Sequence, residues 1–163
     1  MSESYYVPEE PREIIPVGKY KAHITGLIVK ENIKVRGKHM ADIYSPTYTV
    51  AQADNKEFVG REVYAKGIFR FKDAVGCEPN PSGNRNFKVF CDVLSIECES
   101  EEVEGKPRFK LPTLDEGMVL GLPVIVEVIH DSWTNTEGEE VASAKATNVY
   151  EWSQGKQKDV LPF

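Results

Sequence analysis

From Gly18 onward, hydrophobic and polar positions alternate with period two. Tyr20, Ala22, Ile24, Gly26 and Ile28 fall on one side, and Lys19, Lys21, His23 and Thr25 on the other. That period marks a strand with one buried face, and Gly26 gives it a place to curl. A polar, basic connection follows over residues 31–38, then a second strand over 40–51 with Tyr44 and Tyr48 on one face. Pro46 inside it has no N–H for a ladder hydrogen bond, which implies an edge position or a bulge. After a turn at 53–56, a third strand is expected over 60–72. Val63, Ala65, Phe69 and Phe71 would share its buried face, and Tyr64, Lys66, Ile68, Arg70 and Lys72 its outer one. A one-residue shift of register would exchange the two phenylalanines with Arg70 and Lys72. A loop with Gly and Pro covers 73–86. The period then changes, with Phe87, Phe90, Cys91 and Leu94 at helical spacing over 86–96 and Asn84 or Asn86 able to cap the start. Residues 97–110 read as an acidic connection. Two further strands, 123–133 and 141–152, flank a hairpin turn at Asn135, Thr136, Glu137 and Gly138.

Three strands, one helix and two strands is the order of the OB-fold, a five-stranded Greek-key barrel closed by its helix. An open α+β sheet uses the same elements and is the structural competitor. The expected class is therefore all-β with one helix, organised as an extended arm over 1–16, the barrel domain over 17–152 and a flexible tail over 153–163. A chain of 163 residues suits one such core.

Charge is unevenly spread. The net charge of −6 excludes a uniformly basic coat, yet residues 18–90 hold 13 Lys/Arg against 7 Asp/Glu, while 92–104 hold six acidic residues and no basic one. Such asymmetry suggests one face that attracts polyanions and another that repels them. No apolar run reaches membrane-spanning length, the acidic N-terminus lacks the pattern of a secretory signal, and Cys77, Cys91 and Cys98 do not form a disulfide framework. A cytoplasmic setting is the expectation.

Enzyme chemistry finds little support. The chain has no phosphate-binding glycine loop, nucleophile-elbow serine or HExxH pair. The cysteines and His39 lack metal-ligand spacing, and His23, His130 and His39 sit on separate elements. A non-enzymatic protein without metal or cofactor is expected. The acidic run from Glu97 to Glu104 reads as a solvated linker.

Pro16-Val17-Gly18-Lys19-Tyr20, Gly60-Arg61-Glu62-Val63-Tyr64, Gly121-Leu122-Pro123-Val124 and Gly138-Glu139-Glu140 together resemble a family of bacteriophage OB-fold proteins that bind single-stranded DNA. The resemblance covers residues 16–152 through short motifs. The ending Lys158-Asp159-Val160-Leu161-Pro162-Phe163 is similar to the acidic tip of bacterial single-stranded-DNA-binding proteins, which replication and repair enzymes grip. It implies a partner-binding tail formed by Asp159, Leu161, Pro162 and Phe163, although Lys156 and Lys158 depart from the acidic pattern.

Binding single strands without sequence preference needs cations for phosphates and flat rings for bases. The outer face of the third strand offers Tyr64, Lys66, Arg70 and Lys72, the first loop Lys34, Arg36 and Lys38, and the last hairpin Trp133. Tyr44 and Tyr48 are further candidate stacking platforms, with core packing as their alternative. These residues would converge on the face that OB-folds use for ligands. The expected function is single-stranded DNA binding in support of phage replication or recombination, with replication proteins as partners of the tip and a homo-oligomer as a further option. The alternative is a protein-interaction or host-enzyme-inhibiting module with no DNA affinity.

Overall fold

The longest alternating stretch becomes the longest strand of the computed structural model, which describes residues 3–6, 13–35, 39–72 and 84–152. Arg36, Lys38, Cys77 and the tail residues Asp159, Leu161, Pro162 and Phe163 lie outside the described residues. Strand β1 (Gly18–Val35) pairs antiparallel with β7 (Pro123–Thr134) along its first six residues, and with β2 (His39–Gln52) from Lys21 onward. One strand thus serves two neighbours. An extra residue at Thr25 shifts the register between Ile24 and Gly26, so the inward phase moves to the buried Leu27. Ile28, expected inside, is instead 59% exposed. Most of the expected basic loop is strand as well, since β1 and β2 continue as a hairpin arm through Val35 and His39.

The remaining pairings close a ring. β2 lies antiparallel to β3 (Glu62–Ala65), β3 parallel to β8 (Glu140–Glu151), β8 antiparallel to β7, and β7 returns to β1. The fold is mainly β, with a five-strand ring-like sheet, helix α1 (Arg85–Val93), the one-turn helix α2 (Glu116–Val119) and a 3-10 turn at Lys56–Phe58. Its core takes Tyr20, Ala22 and Ile24 from β1, Tyr44, Tyr48 and Val50 from β2, Val63 from β3, Val124, Val126 and Val128 from β7, and Ala146 from β8. Phe87, Phe90 and Cys91 of α1 complete it, with the Phe87 ring 5.3 Å from that of Tyr44. Ile15 joins this core from the N-terminal segment, held where His130 Nε2 lies 2.7 Å from the Ile15 carbonyl and Arg61 donates to the Glu13 carbonyl at 2.9 Å.

The expected third strand is two strands. β3 ends at Ala65, and β4 (Ile68–Phe71) resumes pairing with β2 at Tyr44↔Ile68, whereas β3 pairs at Thr47↔Tyr64. Four steps on one chain face three on the other, which is a bulge at Lys66-Gly67. Two residues make it necessary. Pro46 has no N–H to offer the ladder there. A Cβ on Gly67 would stand 2.3 Å from Ile43 Cγ2, so only glycine lets the strands approach. The bulge inverts the phase of everything after it. Phe69 and Phe71 lie on the side of Tyr64, while Ile68 and Arg70 turn to the side of Tyr44 and Asp42.

Two further elements differ from expectation. Asn84 does not cap α1 through its side chain; its amide instead accepts from the Phe71 N–H at 2.7 Å and donates to the Phe71 carbonyl, acting as a strand partner for β4. The acidic connection contains a hairpin, β5 (Glu99–Val103) with β6 (Lys106–Lys110), turned by Glu104 and Gly105, both at positive φ. Paired positive-φ residues make a two-residue turn that matches strand twist. Glu101 pairs with Arg108 across it, so the acids are partly neutralised by facing bases.

Candidate nucleic-acid interface

Residue parity around the ring defines one outward surface. On β2 it carries Ile43 and Thr47, on β3 Tyr64, and on β4 Phe69 and Phe71. Tyr64 stands opposite Thr47 on one side and Lys145 of β8 on the other. Lys145 in turn faces Ile129 of β7, and the same phase along β7 leads through Asp131 to Trp133 opposite Val141. Tyr64 is 60% and Trp133 53% exposed, a large apolar area for a strand face to leave in water. Phe69 and Phe71 are half-buried and lie 5.8 Å apart, and the His39 ring meets Phe71 edge-on at 6.2 Å.

Cations are interleaved with these rings. Lys66 projects from the bulge and is exposed, Lys145 sits beside Tyr64, and Lys30 faces Ile43 from β1. Lys34 is exposed on the hairpin arm. Carboxylates stand close by. Lys145 Nζ is 2.8 Å from Asp131 Oδ2, and that hydrogen bond, with the charges of Lys145 and then Lys66, holds the Asp131 carboxyl below its usual range. Tyr64 donates its hydroxyl to Glu62 at 3.0 Å, which raises the pKa of the phenol.

Several expected site residues belong elsewhere. Tyr44 and Tyr48 are 0% and 1% exposed, so their rings are core and offer no face to a base. Their phase on β2 is that of Val50 and Val63, and burial drives the Tyr48 phenol upward. Arg70 and Lys72 are committed to Asp42, which is 3% exposed. Lys72 Nζ lies 3.1 Å and Arg70 Nη1 3.5 Å from its carboxylate, the Asn32 N–H donates to the same group at 3.1 Å, and Arg70 also donates to the Leu111 carbonyl at 2.9 Å. Such partners offset the cost of burying a carboxylate, so these cations support the base of the hairpin arm. Of the described candidates, Tyr64 neighbours Lys145, Lys145 bonds Asp131 two residues before Trp133, and the charge of Lys66 reaches the same Asp131, while Lys34 stands apart on the arm.

Phe69, Phe71, Ile43, Lys30 and Lys145 are the surface residues that sequence reasoning missed. The signal for the first two was local: Pro46 and Gly67 on neighbouring strands mark a bulge, and a bulge moves the next residues to the opposite face, whereas Ile43 follows from plain alternation with inward Tyr44. Lys145 was legible only through the alternation of Val141, Ser143 and Lys145. Among the described residues, no group of three or more His, Cys, Asp or Glu is placed to hold a metal ion. Burial, with Cys98 nearby, pushes the Cys91 thiol up to about 12, the state of an inert core thiol. Compared with known proteins, the chain matches no family model, and no curated protein matches its sequence.

Proposed function

We propose that the protein binds single-stranded DNA without sequence preference on this outward surface, and that its five-strand ring is an OB-fold barrel. The strand pairing supports the barrel: β1 shared between two neighbours, and a parallel β3–β8 contact closing the circle. The observation that carries the functional reading is the outward surface with exposed Tyr64 and Trp133 and half-buried Phe69 and Phe71, where Lys145 neighbours Tyr64 and exposed Lys66 lies in the bulge between Tyr64 and Phe69. Rings stack with any base, and interleaved lysines neutralise the phosphates between stacked bases. The protein acts without chemistry of its own, in the host cytoplasm, in support of phage replication or recombination. Asp159, Leu161, Pro162 and Phe163 recruit the proteins that act on the coated strand.

Titration with oligothymidylate, followed by tryptophan fluorescence at low and high salt, tests this. Trp152→Phe leaves Trp133 as the reporter. Quenching at low salt that weakens at high salt is expected; none at low salt overturns the proposal. The β5–β6 hairpin, exposed along its whole length, favours protein docking as the second reading. That reading predicts no DNA affinity and loss of partner pull-down when residues 99–110 are replaced by a short linker.

A further inference from the structure

Two lysines converge on Asp131 in the middle of the ring-bearing surface. Lys145 bonds it directly from β8, and Lys66 adds its charge from the bulge. Asp131 and Lys145 are each about two-fifths exposed, so the pair lies open to an incoming group. Tyr64 is the lateral neighbour of Lys145, one strand spacing of about 4.8 Å away, and Trp133 lies two residues beyond Asp131, about 7 Å along β7. A strand stacked on both rings must carry its backbone past this point. A carboxylate and a phosphodiester are both singly charged oxygen acceptors, and both satisfy an ammonium donor in the same way. We infer that Lys145, with Lys66, is a phosphodiester subsite whose resident anion in the free protein is the protein's own Asp131. The inference rests on the proposed DNA-binding role of this face and adds how its affinity is limited.

Binding then proceeds by exchange. The phosphate oxygen takes the Lys145 donor, Asp131 swings away, and its charge afterwards repels the ligand it admitted. Asp131 therefore sets how tightly a strand is held and how readily it leaves. It makes no contact with the bound strand and acts through Lys145 as a positioning residue.

The test is a four-protein cycle of wild type, Asp131→Asn, Lys145→Gln and the double variant, titrated with oligothymidylate at about 50 mM salt. Asp131→Asn keeps the side-chain shape and removes the charge. It is expected to tighten binding about 3- to 10-fold, and that gain is expected to vanish in the Lys145→Gln background. An Asp131→Asn protein with unchanged melting temperature that binds no tighter than wild type overturns the inference, because a merely structural pair would give that result. Failure of the DNA reading is separable. If the wild type binds no oligothymidylate, inorganic pyrophosphate added to protein labelled with 15N-lysine still reads the subsite. A Lys145 Nζ shift that grows in Asp131→Asn upholds the anion exchange, and no shift in either protein overturns it.

Discussion

Tyr48 and Tyr64 stand on neighbouring strands with identical side chains and opposite fates. Tyr48 pairs with Val63 and faces the core at 1% exposure, whereas Tyr64 pairs with Thr47 and faces water at 60%. Nothing in residue type separates them; only phase does. The proposed interface therefore assigns stacking to Tyr64 and Trp133, and alanine at either position is expected to weaken oligothymidylate binding by about 5- to 100-fold. The same titration read by fluorescence anisotropy checks this. A Tyr48→Ala protein is expected to fail differently, losing about 3–5 kcal/mol of stability, seen by urea unfolding. The cations divide in the same manner. Arg70 and Lys72 flank Asp42, so Arg70→Gln is expected to lower stability by about 2 kcal/mol, because it leaves a buried carboxylate short of a partner. Lys66 is exposed with no structural task of that kind, and Lys66→Gln is expected to leave stability within about 0.5 kcal/mol while weakening DNA binding. Thermal melts and titrations on the two variants check the contrast; equal effects of both on binding would contradict the division.

Elements inherit their faces from single irregularities. Plain alternation located β1, β2, β7 and β8 and the helix, because period two and period 3.6 are read directly from apolar spacing. What alternation cannot carry is an inserted residue. Thr25 in β1 and Lys66-Gly67 between β3 and β4 each add one, and each reverses the side chains that follow, in β1 as far as Lys30, after which a second irregularity shifts the register again. For this reason Arg70 and Lys72 read as groove cations, and Phe69 and Phe71 as core. The β5–β6 hairpin was hidden for another reason. It buries almost nothing, so no hydrophobic period marks it, and its pairing shows only in acids at 99, 101 and 102 facing bases at 110 and 108 and a proline at 107. The bulge also yields a test at this scale. Gly67→Ala places a Cβ against Ile43 Cγ2 and is expected to destabilise by about 1–3 kcal/mol. Ile43→Ala opens that space, so the double variant is expected to be more stable than the sum of the single effects, a coupling that urea denaturation of all four proteins measures. Additive effects would mean that the bulge tolerates a side chain and that the phase of Phe69 and Phe71 has another cause.

At the scale of the whole molecule, an anion of net charge −6 is asked to hold a polyanion. Distance resolves the conflict. Salt at physiological strength screens charge beyond about 8 Å, so a strand on the ring senses the lysines beside it and little of the acids elsewhere. The hairpin leans on α1, where Lys88 Nζ lies 4.3 Å from the centre of the Phe109 ring, and part of its charge is cancelled by its own Lys106, Arg108 and Lys110. Lys30, Lys66 and Lys145 are the cations set beside the outward rings and apolar side chains. For single strands each neutralised phosphate contributes about −0.7 to the slope of log affinity against log salt, so three contacts give a slope of about −2. Titrations with oligothymidylate between about 50 and 300 mM salt measure it. Lys66→Gln is expected to bring the slope about 0.7 closer to zero, whereas Lys106→Gln on the hairpin leaves it unchanged. A slope near zero alongside strong quenching would mean that the rings bind bases without phosphate neutralisation. In that case the interleaving of lysine with ring on the outer face would have no part in binding.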